Sequence, residues 1–379
     1  MLRHHLANHL KNILSWKTNK KYIIFSVDDY GNVRTDSKEA LVAMSKRGAV
    51  PLNRFDNLDS LETSDDLSSL YDVLGSVKGG DGKHPVFTPF SLPCNIDFEK
   101  MARYNYEEYF YETVDFTFTK QAERYPKAYQ DAWRIWKEGI EAGFMKPQFH
   151  GREHFNLKVF KEKLKLKDSE LIAALQNRSN SCISSTGYTT INYTSAFSFW
   201  EFQENDYLSE IIKDGLNCFE KVFGYRATHF NPPGGREHSI LHSDLIDLGV
   251  VSIDNSFIKK EHQGNGKYKT SININGGINS NSLVQLSRNV VFEPNESDNI
   301  NWVSYAMNQI DLAFKYRAPA NISTHRVNFS GFINESNREM GLQKLKDLLK
   351  RIVSKYPDVE FISVDQLIAK ITSSHEYKN

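Results

Sequence analysis

An apolar run, Tyr22-Ile23-Ile24-Phe25-Ser26-Val27, ends in two adjacent acids, Asp28 and Asp29, and then turns through Tyr30-Gly31-Asn32. A buried strand ordinarily closes on one polar residue. Two carboxylates at its C-terminal mouth cost desolvation and mutual repulsion unless a cation or a proton separates their roles. Downstream, His150-Gly151-Arg152-Glu153-His154 supplies two imidazoles four residues apart. His325 follows a further apolar run, Ala320-Asn321-Ile322-Ser323-Thr324. One acid and two histidines can hold a divalent ion, Zn²⁺ being the best match to Asp29, His150 and His154, with positions left open for water and substrate. The second acid and the third histidine then remain for proton transfer. Such an inventory points to a metal-dependent hydrolase.

The spacing of the other elements predicts an α/β fold. Asp36-Ser37-Lys38-Glu39 is a capping-box start, and Gly48 closes the helix that follows. Val86–Phe90 reads as a second strand, and residues 144–149 as a third that ends at His150. Helices are expected near 132–142, 157–166, 208–223, 237–248 and 336–354, and strands at 226–230, 250–253, 320–324 and 359–362. Strands alternating with helices favour a parallel, barrel-like sheet, with the chemistry at the C-terminal strand ends. Residues 1–20 read as an amphipathic helical extension whose Leu6, Leu10, Ile13 and Leu14 pack on the body. Residues 21–379 read as one barrel domain with insertions near 95–140, 165–207 and 259–299. The last of these is rich in Gly, Asn, Ser and Lys and holds one strand-like pulse, Leu283–Phe292.

Composition excludes more than it assigns. The chain of 379 residues carries 47 Lys and Arg against 47 Asp and Glu, so its net charge steers it toward neither nucleic acid nor an anionic membrane. The 24 Phe and 18 Tyr argue for a substantial core. They are dense between Asp97 and Tyr129, where they either floor a ligand groove or pack beneath a long connection. Trp200 and Trp302 face the same choice between stacking on a sugar ring and core packing. Cys94, Cys182 and Cys218 have no metal-like spacing and read as thiols of a reducing compartment. Residues 1–21 lack an apolar signal core and no run reaches transmembrane length, which sets the expectation of a cytoplasmic enzyme without a membrane span.

Five short motifs, in order, carry a resemblance to a known family. Ser26-Val27-Asp28-Asp29 resembles the first motif of the NodB-like polysaccharide deacetylases, and His150-x-x-x-His154 is similar to their second. Asn231-Pro232-Pro233-Gly234-Gly235 resembles the third, Ser252-Ile253-Asp254 the fourth, and Ser323-Thr324-His325 the fifth. The resemblance implies a distorted (β/α)7 barrel that removes an N-acyl group, acetyl or formyl, from an amino sugar, free or linked to a nucleotide or lipid. It implies Asp28 as general base, His325 as general acid oriented by Asp254, and Asp29, His150 and His154 as metal ligands. Tyr30, Arg152, Asn231, Pro232, Pro233 and Gly234 are the expected substrate contacts. One departure stands out: the family's third motif opens with an Arg that tethers the catalytic acid, and here the residue is Asn231. Arg226, Arg236 and Arg152 are the candidates to replace that cation. Asp28-Asp29-Tyr30-Gly31 also resembles the opening of the YdjC-like carbohydrate deacetylases, whose chemistry is closely related.

Two other readings remain at this level. His150 to His154 also spells the inverted zinc-protease signature, in which Glu153 would be the general base of a metalloprotease. Pro147 and Gly151 oppose the long helix which that reading needs. The loss of the motif-three Arg alternatively fits a catalytically silent, carbohydrate-binding barrel.

Overall fold

The structure, a computed structural model, describes residues 2–376, with side chains from 7 to 374. Eight strands build the main sheet: β1 (Tyr22–Tyr30), β2 (Phe87–Ser91), β3 (Gln148–Phe149), β4 (His229–Phe230), β5 (Ser252–Asp254), β6 (Val284–Leu286), β7 (Val290–Val291) and β8 (Ala320–His325). They lie in the order β6-β5-β4-β3-β2-β1-β8-β7, and every pairing is parallel. A ninth, β9 (Glu360–Phe361), pairs with the start of β1. The sheet curls into a distorted barrel that is left unpaired between β6 and β7. The connection across that gap carries Ser287, Arg288 and Asn289.

Strand periodicity decides what faces the barrel axis. On β1, Ile23, Phe25 and Val27 pack outward among Leu67, Leu70, Leu345 and Leu349. These leucines belong to helices α2 (Ser64–Gly75) and α6 (Glu335–Lys355) of the surrounding shell, which also includes α3 (Ala132–Glu141), α4 (Glu204–Phe223) and α5 (Trp302–Lys315). Tyr22 and Ile24 point the other way, onto Phe90, Val284 and Leu286. The terminal helix α7 (Val364–Glu376) adds Leu367, Ile368 and Ile371 to this second cluster and plugs the lower end of the barrel. Ser26 and Asp28 continue the inward row upward, so the interior grades from apolar at the base to acidic at the mouth.

Local chemistry sets the helix ends. Thr63 and Asp66 form a reciprocal capping box at the start of α2. Gly224, at φ 77°, terminates α4 in the left-handed conformation that a residue with a Cβ adopts at a cost.

The segment around 259–299 divides differently from its composition. Residues 258–272 form an antiparallel hairpin off the barrel, whereas Leu283–Phe292 breaks into two barrel strands with Arg288 between them. The expected strand at 144–149 shortens to β3, and the expected helix at 237–248 begins with a 3₁₀ turn at Ser239. The aromatic-rich stretch 97–129 packs instead of lining a groove: Phe98, Phe118 and Tyr129 are core residues. Trp302 likewise sits in the core, and Trp200 packs against Tyr188.

The N-terminal helix α1 (Leu2–Leu14) docks by the face opposite to the one its pattern suggests. Leu10, Ile13 and Leu14 are exposed at 41%, 44% and 44%, while Asn12 and Ser15 are buried. Leu6 lies outside the described side chains. Polar bonds hold the helix: Asn289 Nδ2 donates to Asn12 Oδ1 at 2.7 Å, and Asn275 Nδ2 to Ser15 Oγ at 2.9 Å.

Just beyond β8, the turn Arg326–Phe329 rests on α6 at Gly341. A Cβ there would stand 1.8 Å from the carbonyl oxygen of Asn328. Gly341→Ala must therefore displace the backbone that follows His325. The expected loss is about 3 kcal/mol, at the upper end for overpacking, read as a lower urea midpoint with an unchanged slope.

Candidate metal centre and active site

Adjacent residues on a strand point to opposite faces, so Asp28 and Asp29 should diverge. They do not, because Asp29 adopts φ 77° and the pairing register with β2 slips between Val27 and Tyr30. This bulge turns both carboxylates into the barrel mouth. A left-handed aspartate stores about 1–3 kcal/mol of strain, and over-determined surroundings hold it. Glu62 provides much of that restraint. Its carboxylate accepts from Gly31 N at 3.1 Å, from Trp136 Nε1 at 2.6 Å and from Arg326 Nη1 at 2.8 Å. Arg326 is itself buried and also donates to Asp59. One network thus fixes the turn after Asp29 and the residue after His325.

Asp29, His150 and His154 converge, each offering a ligand atom within 4.8 Å of the others. The Nδ1 of His150 lies 2.7 Å from the carbonyl oxygen of Asn231, which places its proton there and leaves Nε2 with a free lone pair. That Nε2 faces Asp29 Oδ1 at 3.6 Å, and His154 Nε2 stands 2.9 Å from the same oxygen. Both Asp29 Oδ1 and His150 Nε2 are buried without a hydrogen-bond partner. Two unpaired buried acceptors aimed at one point are costly unless a cation sits between them. Burial also pushes the His154 pKa down, against the pull of Asp29, which favours the neutral imidazole that a metal requires. The donor set fits a divalent ion. A second carboxylate group, Asp97, Glu99 and Glu112, closes instead on the ammonium of Lys120.

The missing motif-three cation comes from elsewhere in the chain. Arg288 Nη1 and Nη2 donate to the two oxygens of Asp28, each at 2.7 Å, and Nε donates to Asp254 Oδ2 at 2.5 Å. Asn231 adds its amide, Nδ2 to Asp28 Oδ1 at 2.7 Å. Burial alone would raise the Asp28 pKa, but Arg288 and His325 outweigh it and hold the group below its ordinary value. Asp254 goes the other way: burial dominates and raises it despite the same guanidinium. None of the three arginines expected from sequence fills this place. Arg226 pairs with Glu220, Arg236 lies against His262 and Tyr268, and Arg152 is committed to Glu153 and Asp214.

His325 pairs in register with Asp28, its Nε2 lying 3.4 Å from Asp28 Oδ2. Glu293, not Asp254, holds the other ring nitrogen, at 2.6 Å from Nδ1. Glu293 is held in turn by Arg54 Nη2 at 2.5 Å and Asn328 Nδ2 at 2.8 Å. Burial disfavours the imidazolium, yet Glu293, with Asp28 and Asp29 behind it, lifts the His325 pKa to about 9.

These groups line one cavity of about 560 Å³. Of the residues singled out from sequence, Asp28, Asp29, His150, His154, Asn231, Pro232, Gly234, Asp254 and His325 line it. Three expected substrate contacts do not. Tyr30 turns into the core against Trp136, the register slip having reversed its direction. Pro233 is buried beneath the turn, and the Arg152 guanidinium stacks over Tyr111. Glu153 is buried on Arg152 and the residues around it are not helical, which removes the protease reading. Lys11, Arg34, Phe55 and Arg288 join the lining without having been expected.

No family model matches the sequence, and no curated protein does. Solved structures do resemble it, and several of them are polysaccharide or peptidoglycan deacetylases. A candidate polysaccharide deacetylase from Mycobacterium smegmatis aligns at 12% identity, with 95% of this chain and 93% of that one covered and a TM-score of 0.45. A 4-alpha-glucanotransferase from Thermococcus litoralis aligns at 8% identity, covering 93% of this chain and 40% of that one, at 0.44. A family 4 acetyl xylan esterase from Clostridium thermocellum, in complex with a cobalt ion, aligns at 9%, covering 92% and 91%, at 0.37. All are distant likenesses.

The Glu293 contact has a direct readout. In the metal-free protein the His325 ring is expected to titrate at about 9, and its proton resonances followed against pH check this. Glu293→Gln returns it toward the ordinary imidazole value of about 6.5. The fold favours the charged form, so the pair's contribution to stability is complete below about pH 6.5. It is lost as pH rises through about 9. An unmoved resonance in Glu293→Gln would remove Glu293 from this role.

Proposed function

We propose that the protein is a metal-dependent hydrolase that removes an N-acyl group, acetyl or formyl, from an amino sugar. The observation that carries this reading is the pair of orphaned buried atoms, Asp29 Oδ1 and His150 Nε2, facing the His154 ring at the edge of a cavity that also holds a clamped acid and a charged histidine. Asp29, His150 and His154 would hold the ion, with Zn²⁺ the best match to two imidazoles and one carboxylate. When bound, such an ion polarises the acyl carbonyl and acidifies water.

The remaining steps belong to the chain's own side chains. Asp28 takes a proton from the attacking water. Arg288 and Asn231 keep it ionised at neutral pH and fix its direction, at the expense of some basicity. His325, charged through Glu293, gives its proton to the departing amine nitrogen. The 3.4 Å between His325 Nε2 and Asp28 Oδ2 lets base and acid serve the same reacting centre from one side. Asn231, Pro232 and Gly234 form the wall against which the sugar packs. A silent carbohydrate-binding barrel is disfavoured because Arg288 supplies the cation that its motif lacks.

The test separates ligands from proton carriers. Asp29→Asn and the double variant His150→Ala, His154→Ala are expected to lose stoichiometric zinc by metal analysis. Asp28→Asn is expected to keep zinc and lose about 10²- to 10⁴-fold in amine release from N-acetylated and N-formylated amino sugars. Full turnover in Asp28→Asn, or zinc retained by the double histidine variant, would sink the assignment.

A further inference from the structure

The cavity has a cationic wall that the reaction does not use. Lys11, on α1, reaches it from outside the barrel. Among the described residues its ammonium donates one bond, to the carbonyl oxygen of Arg288 at 2.8 Å. It forms no ion pair with any carboxylate among the described residues; burial pulls its pKa below the ordinary ammonium value, and nearby Asp254 offsets part of that. An ammonium carries three donors, so two remain for whatever fills the cavity.

The way α1 is held points to a purpose for that lysine. A free amphipathic helix gains most by burying its apolar face. Here Leu10, Ile13 and Leu14 stay in solvent and the polar face is the docked one. Two of its bonds fall on residues that span the barrel gap: Lys11 on Arg288, and Asn12 on Asn289. Arg288 is the clamp on Asp28, so the contact that seats the helix also sets Lys11 beside the reacting groups. Charge within the lining agrees. Arg34 is paired with Asp56, His325 with Glu293, and Arg288 with Asp28 and Asp254, which leaves Lys11 as the surplus cation of the lining among the described residues. Arg34 spends its Nε and Nη2 on Asp56 and leaves Nη1 uncommitted. A neutral sugar draws nothing from this surplus.

Resting on the reading above, we infer that the substrate is an N-acylated amino sugar bearing an oxyanion, a phosphate ester or a carboxylate, which Lys11 receives on the side of the cavity formed by Arg288 and Asp254. The acyl group lies toward Asp29 and the paired histidines, and the anion toward α1. Lys11 is a specificity-determining residue here and takes no part in proton transfer.

Calorimetric binding tests this apart from turnover. The zinc-loaded protein is titrated with N-acetylglucosamine, with its phosphate ester and with N-acetylmuramic acid, whose carboxylate is the other anion source. The wild type is expected to bind at least one anionic sugar about tenfold or more tighter than the neutral one, the scale of one charge-assisted hydrogen bond. The arm that gains names the oxyanion. In Lys11→Met the margin is expected to fall below about threefold, and in Lys11→Arg, which keeps the charge, to return. Thermal midpoints of both variants report whether α1 remains docked. Equal binding of all three sugars by the wild type, or a full margin in a folded Lys11→Met, overturns the inference. A Lys11-dependent margin in a protein that hydrolyses none of these amides would leave the anion site standing and remove the hydrolase reading instead.

Discussion

Two carboxylates placed side by side in a buried mouth are the constraint around which this molecule is arranged. Neither Asp28 nor Asp29 has enough water to stay charged alone, and both point to the same side because the backbone at Asp29 is left-handed. The chain separates them by giving each its own counter-charge. Asp28 receives a guanidinium on both oxygens, and Asp29 keeps an unpaired oxygen beside two imidazoles. In the proposed function that division leaves one acid to accept a proton and the other to hold the metal. Everything nearby, from the Glu62 network to the Glu293–His325 pair, holds that division in place.

Much of the site could be read along the chain because a parallel barrel brings strand ends together. Asp28, Asp29, His150, Asn231, Asp254 and His325 each follow or close an apolar run, and the fold places all six at one mouth. Adjacency to such a residue was a poorer guide. Tyr30 follows the acids yet turns inward at the bulge, and Arg152 sits between the paired histidines yet is drawn off by Glu153 and Asp214.

Arg288, Glu293 and Lys11 were hidden for a common reason: no apolar periodicity marks any of them as a site residue. Arg288 and Glu293 lie in a stretch whose Gly, Asn and Ser content resembles an insertion, and its apolar pulse is too short to show two strands. Lys11 occupies the polar side of a helix whose pattern recommends burying the other side. In each case the deciding interaction is a charge or an amide meeting its partner across hundreds of residues, as Arg288 meets Asp28 and Asn12 meets Asn289. Hydrophobic periodicity carries no information about such pairings.

The seat of the N-terminal helix also bears on how the chain folds. Residues 9–15 dock on Asn275, Arg288, Asn289 and Tyr316, which lie 260 to 307 positions further along the chain and must be in place before they can receive the helix. Until then the helix has only its own short length to stabilise it, and thirteen residues are marginal in water. The helix therefore settles only after the strands flanking Arg288 and Asn289 have formed, and it completes the chamber from outside.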